Sequence, residues 1–292
     1  MPKYRFKQVD AFTSRAFFGN PVAVVIGADG LETEEMQRIA TWTNLSETTF
    51  VLKPAVAHPA YRLRIFSPGH ELPFAGHPTI GSCHAVLEAE IVAPEGGRLV
   101  QECEAGNLPL RVDGEGPRRW IHVEAPEAAF VGELIELRGI VSAALGRQIA
   151  SSPAPTALRN GPTWLFVRFE DTTDVAALEP DMSAVTKLSR EHALSGLAAF
   201  AFVERGEFAI HIRCFAPSVG VPEDPVTGSA NAALPAYLAR HGLLGRTGRE
   251  YLATQGTELG RDGRVHVRVL DGSGRAEIGG QAVTVVEGEI TV

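Results

Sequence analysis

Glu47, His77 and Asp224 are the residues whose types and surroundings could move protons. His77 stands directly before a proline in Gly76-His77-Pro78, and Asp224 does so in Asp224-Pro225-Val226-Thr227-Gly228-Ser229. Each loop feeds a segment of small residues that reads as a helix. Two titratable groups on such loops suit proton removal at one face of a small molecule and delivery at another. Taken singly they have equally good structural roles, His77 as a turn histidine and Asp224 as an N-cap or turn aspartate. Glu47 lies in Asn44-Leu45-Ser46-Glu47-Thr48-Thr49-Phe50-Val51, between a helix end and a β-branched strand start. A carboxylate leading into a buried strand loses water, which raises its pKa and lets it give and take a proton near neutral pH. Alone, Glu47 reads first as a solvated or capping residue.

Gly76, Gly81, Gly228 and Ser229 allow backbone to approach a ligand, and the N–H groups of a first helical turn attract an anion. Together they suggest a carboxylate or phosphate cradle. The competing reading is a pair of tight turns, each followed by a helix cap.

The placement of these loops is repeated. Arg64-Ile65-Phe66-Ser67-Pro68 resembles Arg213-Cys214-Phe215-Ala216-Pro217 at an offset of 149. Pro78 to Leu87 then aligns with Pro225 to Leu234 as P-x-x-G-S-x-x-A-x-L at an offset of 147. Such a repeat predicts two homologous halves, with a ligand cleft between them and His77 and Asp224 at equivalent positions. Pro235 is expected to kink or delay the second helix.

The elements that carry the loops follow from periodicity. Tyr61 to Phe66 and Arg264 to Leu270 alternate as half-exposed antiparallel strands. Met36, Ile39, Ala40 and Thr43 form one helical face behind Glu32 to Glu35, with Thr33 as N-cap. Further helices are predicted over Gly132 to Leu145 and Asp181 to His192, and loops over Ala93 to Gly97, Gly114 to Pro117 and Ser151 to Pro162.

Composition removes several classes of function. The chain has 292 residues, 45% of them hydrophobic, which is enough for about two ordinary domains. A net charge of −8 repels phosphate backbones and acidic membranes, so nucleic acid is a poor partner. No apolar run, Pro21–Ile26 among them, approaches the roughly 20 residues that span a bilayer. The opening residues lack a secretory pattern, which points to the cytoplasm. Cys83, Cys103 and Cys214 form no pair framework and read as reduced buried thiols. Cys83, near a helix start, is the one candidate for a reactive thiol. Nucleotide, zincin and α/β-hydrolase motifs are absent. His70, His77 and His84 recur every seven residues, but prolines keep all three from one helix, so neither a metal nor another cofactor is expected.

Several blocks carry a resemblance: Phe12 with Gly19-Asn20-Pro21-Val22-Ala23-Val24, Asn44 to Thr48, Pro73 to Gly81, Glu223 to Ala230, and the tail from Gln255-Gly256 through Gly279-Gly280. In this order they resemble the phenazine-biosynthesis PhzF-like isomerase family. The resemblance implies an α+β chain of two pseudo-symmetric domains with the diaminopimelate-epimerase-like fold, each a curled mixed sheet around a central helix, and an active site in the interdomain cleft. The domains would be 1–124 and 125–281, with the last strand, 282–292, returning to the first.

The same resemblance makes Glu47 the general acid/base, completes the proton-handling set with His77 and Asp224, and puts Asn20, Gly76, Gly228 and Ser229 near the substrate. It implies a cofactor-independent isomerase, a homodimer, acting on a small carboxylate-bearing, cyclic or unsaturated metabolite, with dihydro-hydroxyanthranilate isomerisation as the best-known case. Domain closure would exclude water. Relatives that epimerise amino acids use two cysteines, whereas here Ala75 precedes Gly76 and the second loop has no Cys. Alternatives are a racemase without the thiol pair, a non-catalytic binding member of the fold, and, weakest, a Ser229/His77/Asp224 hydrolase.

Overall fold

The computed structural model describes residues 1–55 and 60–292. The chain forms two compact units, residues 1–124 with 279–292, and residues 125–278.

In unit 1 the elements are β1 (Lys3–Ala11), β2 (Asn20–Ile26), α1 (Thr33–Thr43), β3 (Thr48–Leu52), β4 (Tyr61–Phe66), β5 (Glu71–Leu72), α2 (Gly76–Glu88), β6 (Arg98–Cys103), β7 (Gly106–Asp113) and β8 (Trp120–Glu124). Pairing is mixed: β2–β3 and β4–β6 are parallel, and β1–β2, β3–β4, β4–β5, β6–β7 and β7–β8 are antiparallel. Each parallel pair needs a crossover, which α1 and α2 supply. Tyr61, Leu63 and Ile65 are buried, as alternation requires, but β4 has partners on both sides and is an interior strand. Met36, Ile39 and Ala40 bury the inner face of α1 against Phe50 and Phe66, whose rings meet edge-on at 5.5 Å.

Unit 2 contains β9 (Ala129–Glu133), α3 (Arg138–Leu145), β10 (Thr156–Arg159), β11 (Thr163–Arg168), α4 (Thr172–Ala176), α5 (Met182–Glu191), β12 (Gly196–Phe202), β13 (Phe208–Ala216), β14 (Val221–Asp224), α6 (Gly228–Arg240), β15 (Glu250–Gln255) and β16 (Gly263–Val269). β17 (Ala276–Gly280) leads the chain back into unit 1, where β18 (Ala282–Thr291) pairs with β1. The pairings repeat those of unit 1: β11–β12 parallel, β12–β13 and β13–β14 antiparallel, β13–β15 parallel and β15–β16 antiparallel. Gly76 to Leu87 are all buried, as is most of α6, so neither helix is confined to one apolar stripe.

Several local expectations are corrected. The N-cap of α1 is Glu32, closed by its N–H donating to Glu35 Oε2 at 2.9 Å, while the Thr33 hydroxyl accepts from Arg64 Nη2. The helix predicted from Gly132 begins only at Arg138, because Gly132 pairs with Ala157 in a two-stranded ladder. That ladder also converts Thr156–Arg159, expected as loop, into β10. Asp181 caps α5 by accepting from the Ser183 and Ala184 N–H groups. α6 begins before Pro235 and continues past it to Arg240, so the proline does not delay the helix.

Candidate active site

Glu47 immediately precedes β3, and its carbonyl accepts from Ala23 N–H, tying it to β2. The strand it enters is sealed, with Thr48, Thr49 and Phe50 buried. Thr48 and Thr49 are anchored in turn, by hydroxyl contacts of 2.6 Å to Thr43 and 2.8 Å to Ser82 of α2. The Glu47 side chain is 17% exposed, and loss of water pushes its carboxyl up to about 7. The hydrogen bond with Ser46 works in the opposite direction and is outweighed. Both protonation states are therefore populated near neutral pH, the condition for a group that accepts and returns a proton.

His77 is the second residue of α2, 8% exposed, with Nε2 3.2 Å from Glu47 Oε2. Folding thus brings a carboxyl and an imidazole, thirty residues apart in sequence, into ion-pair distance. Gly76 opens α2 behind Ala75, an extended N-cap without a side-chain cap. Asn20 opens β2 opposite Ala11 and is buried.

Unit 2 holds the remaining residues in a second cluster. Asp224 ends β14, and its Oδ2 accepts from the Thr227 hydroxyl at 2.7 Å. Gln255 donates to that hydroxyl and to the Asp224 carbonyl, both at 2.9 Å, while its Oε1 accepts from Thr227 N–H and Asn231 Nδ2. All four hydrogen-bonding positions of the Gln255 amide are used, so the loop before α6 is rigidly specified. Gly256 allows this: its φ is +92°, and a Cβ there would lie 2.5 Å from the Pro225 carbonyl oxygen. Ser229, the second residue of α6, accepts at Oγ from Trp164 Nε1 at 2.9 Å and at its carbonyl from Asn160 Nδ2 at 2.8 Å.

The structure overturns the expectation that His77 and Asp224 are equivalent. Gly228 opens α6, whereas Gly81, its partner in the sequence match, is the sixth residue of α2 and packs on Val22. Strand pairing sets the true correspondence. Ile65 faces Leu72 as Cys214 faces Asp224, so Glu71-Leu72-Pro73-Phe74-Ala75-Gly76-His77 matches Glu223-Asp224-Pro225-Val226-Thr227-Gly228-Ser229. The side chains agree. Arg64 pairs with Glu71 at 2.6 Å and lies over Phe66, and Arg213 pairs with Glu223 at 2.8 Å and lies over Phe215. His77 therefore corresponds to Ser229, and Asp224 to Leu72. The E-x-P-x-x-G spacing was the available signal. Nothing in the sequence marked Trp164, Asn160, Asn231 or the role of Gln255.

Cys83 is not reactive: it is the eighth residue of α2, fully buried, and burial pushes its thiol up to about 12. Its distance from the helix start removes the dipole effect. His77 and His84 share α2, and burial lowers His84 to about 4. Among the described residues, no three His, Cys, Asp or Glu side chains are grouped to hold a metal ion. Nor is any helix there long and apolar enough to cross a membrane.

Comparison with known proteins accounts for nearly the whole chain. The family described as phenazine biosynthesis-like protein matches residues 9–288. The chain is 38% identical to "Antisense-enhancing sequence 1" of Schizosaccharomyces pombe, over 99% of each. It is 37% identical to trans-2,3-dihydro-3-hydroxyanthranilate isomerase of Pseudomonas aeruginosa, over 98% of each. The crystal structure of a PhzF-family phenazine biosynthesis protein from Bacillus anthracis superimposes with a TM-score of 0.87 at 28% identity, over 100% of each chain. A mixed α+β architecture, a carboxyl poised near neutrality and end-to-end similarity agree: the chain belongs to the phenazine biosynthesis-like family and is an isomerase of the PhzF type.

Proposed function

We propose that the protein moves a proton on a small carboxylate-bearing, cyclic or unsaturated metabolite by general acid/base catalysis without a cofactor. The Pseudomonas relative's name supplies the reference substrate, trans-2,3-dihydro-3-hydroxyanthranilate. The observation that carries the reading is the Glu47–His77 pair, a carboxyl at about 7 beside an imidazole at 3.2 Å. Ionised Glu47 takes a proton from an acidic C–H next to the unsaturated system and returns it to another carbon on the same face. His77 stabilises or relays the charge that develops between the two steps. Asp224, held by Thr227, completes the proton-handling set, while Asn20, Gly76, Gly228 and Ser229 bind the substrate, Ser229 by donating to its carboxylate. The protein is taken to act in the cytoplasm as a homodimer, which sedimentation at twice the 31.3 kDa chain mass would test.

The deciding experiment is NMR in deuterium oxide with that substrate and a panel of cyclic and unsaturated amino and carboxylic acids. Wild type should introduce deuterium and Glu47→Gln should not. Exchange by Glu47→Gln at the wild-type rate would remove Glu47 from the mechanism. Wash-in at a stereogenic α-carbon would point instead to a racemase.

A further inference from the structure

The correspondence between the two units extends to Glu47 itself. Thr48 faces Phe66 as Leu197 faces Phe215, and Ala23 faces Thr48 as Leu165 faces Leu197. Glu47 therefore corresponds to Gly196, and Val22 to Trp164. Unit 2 has no side chain at the Glu47 position, where the Phe215 carbonyl and then the Trp164 indole close the space. A Cβ on Gly196 would be 2.8 Å from Cζ3 of that ring and would also collide with the Phe215 carbonyl. In unit 1 the second residue of the helix meets a carboxyl, and in unit 2 it meets an indole N–H.

The chemical consequence is a matter of polarity. An indole N–H can only donate, so the Ser229 hydroxyl accepts from Trp164 and has its own proton left to give. Among the described residues, no acceptor for that proton is found. Trp164 is 4% exposed and fixed by packing, and Asn160 holds the Ser229 backbone, so the hydroxyl proton is confined to the directions away from the indole before a ligand arrives.

We propose that Trp164 is a positioning residue that turns the Ser229 hydroxyl proton away from the indole, so that unit 2 favours a carboxylate oxygen over a neutral amide at the same place on the substrate. This rests on reading Ser229 as a substrate contact. A carboxylate accepts from the hydroxyl with the added strength of charge at either of its oxygens, whereas an amide presents a single, weaker, neutral oxygen.

The test is selectivity, measured by titrating anthranilate and 2-aminobenzamide into wild type, Trp164→Phe, Ser229→Ala and Glu47→Gln and following ligand NMR line broadening. Wild type should bind the carboxylate at least tenfold more tightly. In Trp164→Phe and Ser229→Ala the preference should fall to about twofold or less, and the double variant should be no worse than Ser229→Ala. A replacement of Trp164 by benzothienylalanine keeps the bicyclic volume without the N–H and stands in if the Phe variant does not fold. Retained preference without the indole N–H, or no carboxylate preference in wild type, overturns the proposal. Glu47→Gln should keep the preference, so loss of Glu47 as the base and loss of Trp164 as the selector are separate outcomes.

Discussion

Unit 1 sets a carboxyl 3.2 Å from an imidazole at the second residue of its buried helix, and unit 2 sets an indole 2.9 Å from a hydroxyl at the matching residue of its own. The surrounding supports are alike, including the Arg–Glu pair and the aromatic ring beneath each arginine. What differs is the group beside the start of each buried helix. A carboxyl deprived of water becomes a proton carrier, whereas an indole N–H can only orient a neighbour. One strand order thus holds two different side-chain pairs through a Glu/Gly exchange at positions 47 and 196 and a Val/Trp exchange at 22 and 164.

The comparison breaks most sharply at Glu47. Glu47→Gln keeps the volume and removes the titrating group, so kcat should fall by roughly 10²- to 10⁴-fold, the range for a lost general acid/base. In wild type, kcat/KM should fall as pH drops through about 7, because protonated Glu47 cannot accept a proton. Stopped assays across pH 5 to 9 would read both, and a profile flat around 7 would count against Glu47.

Stability should move in the opposite direction. The folded carboxyl is raised from its ordinary 4.5 to about 7, so the native state holds this proton more tightly than the unfolded chain does. Its contribution is fully present below about pH 4.5 and is lost as pH rises through about 7, by an amount on the order of 3 kcal/mol. Glu47→Gln should therefore melt above wild type at pH 8 and close to it at pH 4. Equal melting temperatures at both pH values would show that the carboxyl is not strained by burial.

Ser229→Ala tests the other unit, with an expected loss of about tenfold or somewhat more in KM and little change in kcat, since a hydrogen bond to a charged group contributes roughly 1.5–3 kcal/mol. Thr227→Val should cost less, about 1 kcal/mol of stability and a few-fold in kcat, by leaving one Gln255 N–H and the Asp224 carboxylate each short of a partner. Thr227→Ser should restore both. The smallest effect belongs to the thiols: iodoacetamide at pH 8 should leave activity unchanged, because Cys83, Cys103 and Cys214 are all buried.

Much of this was legible locally. A carboxylate ahead of a β-branched strand signals desolvation, and Glu47 has its raised pKa for that reason. Alternation located β4 and β16, and apolar spacing located α1. The equivalence of His77 with Asp224 failed because Gly recurs within α2, at Gly76 and Gly81, so Gly228 of α6 aligns with it at more than one offset. Gly132 was misread because an apolar run beside it fits a helix until β10 offers a pairing partner.

Residue order alone determined the repeated strand and loop–helix blocks and the family, since each depends on neighbours within a few positions or on matched blocks in sequence. The contact of His77 with Glu47, the Gln255 network around Asp224 and the indole over Gly196 were decided by tertiary structure. Each joins residues at least 24 positions apart, and strand pairing rather than local preference sets which side chains meet.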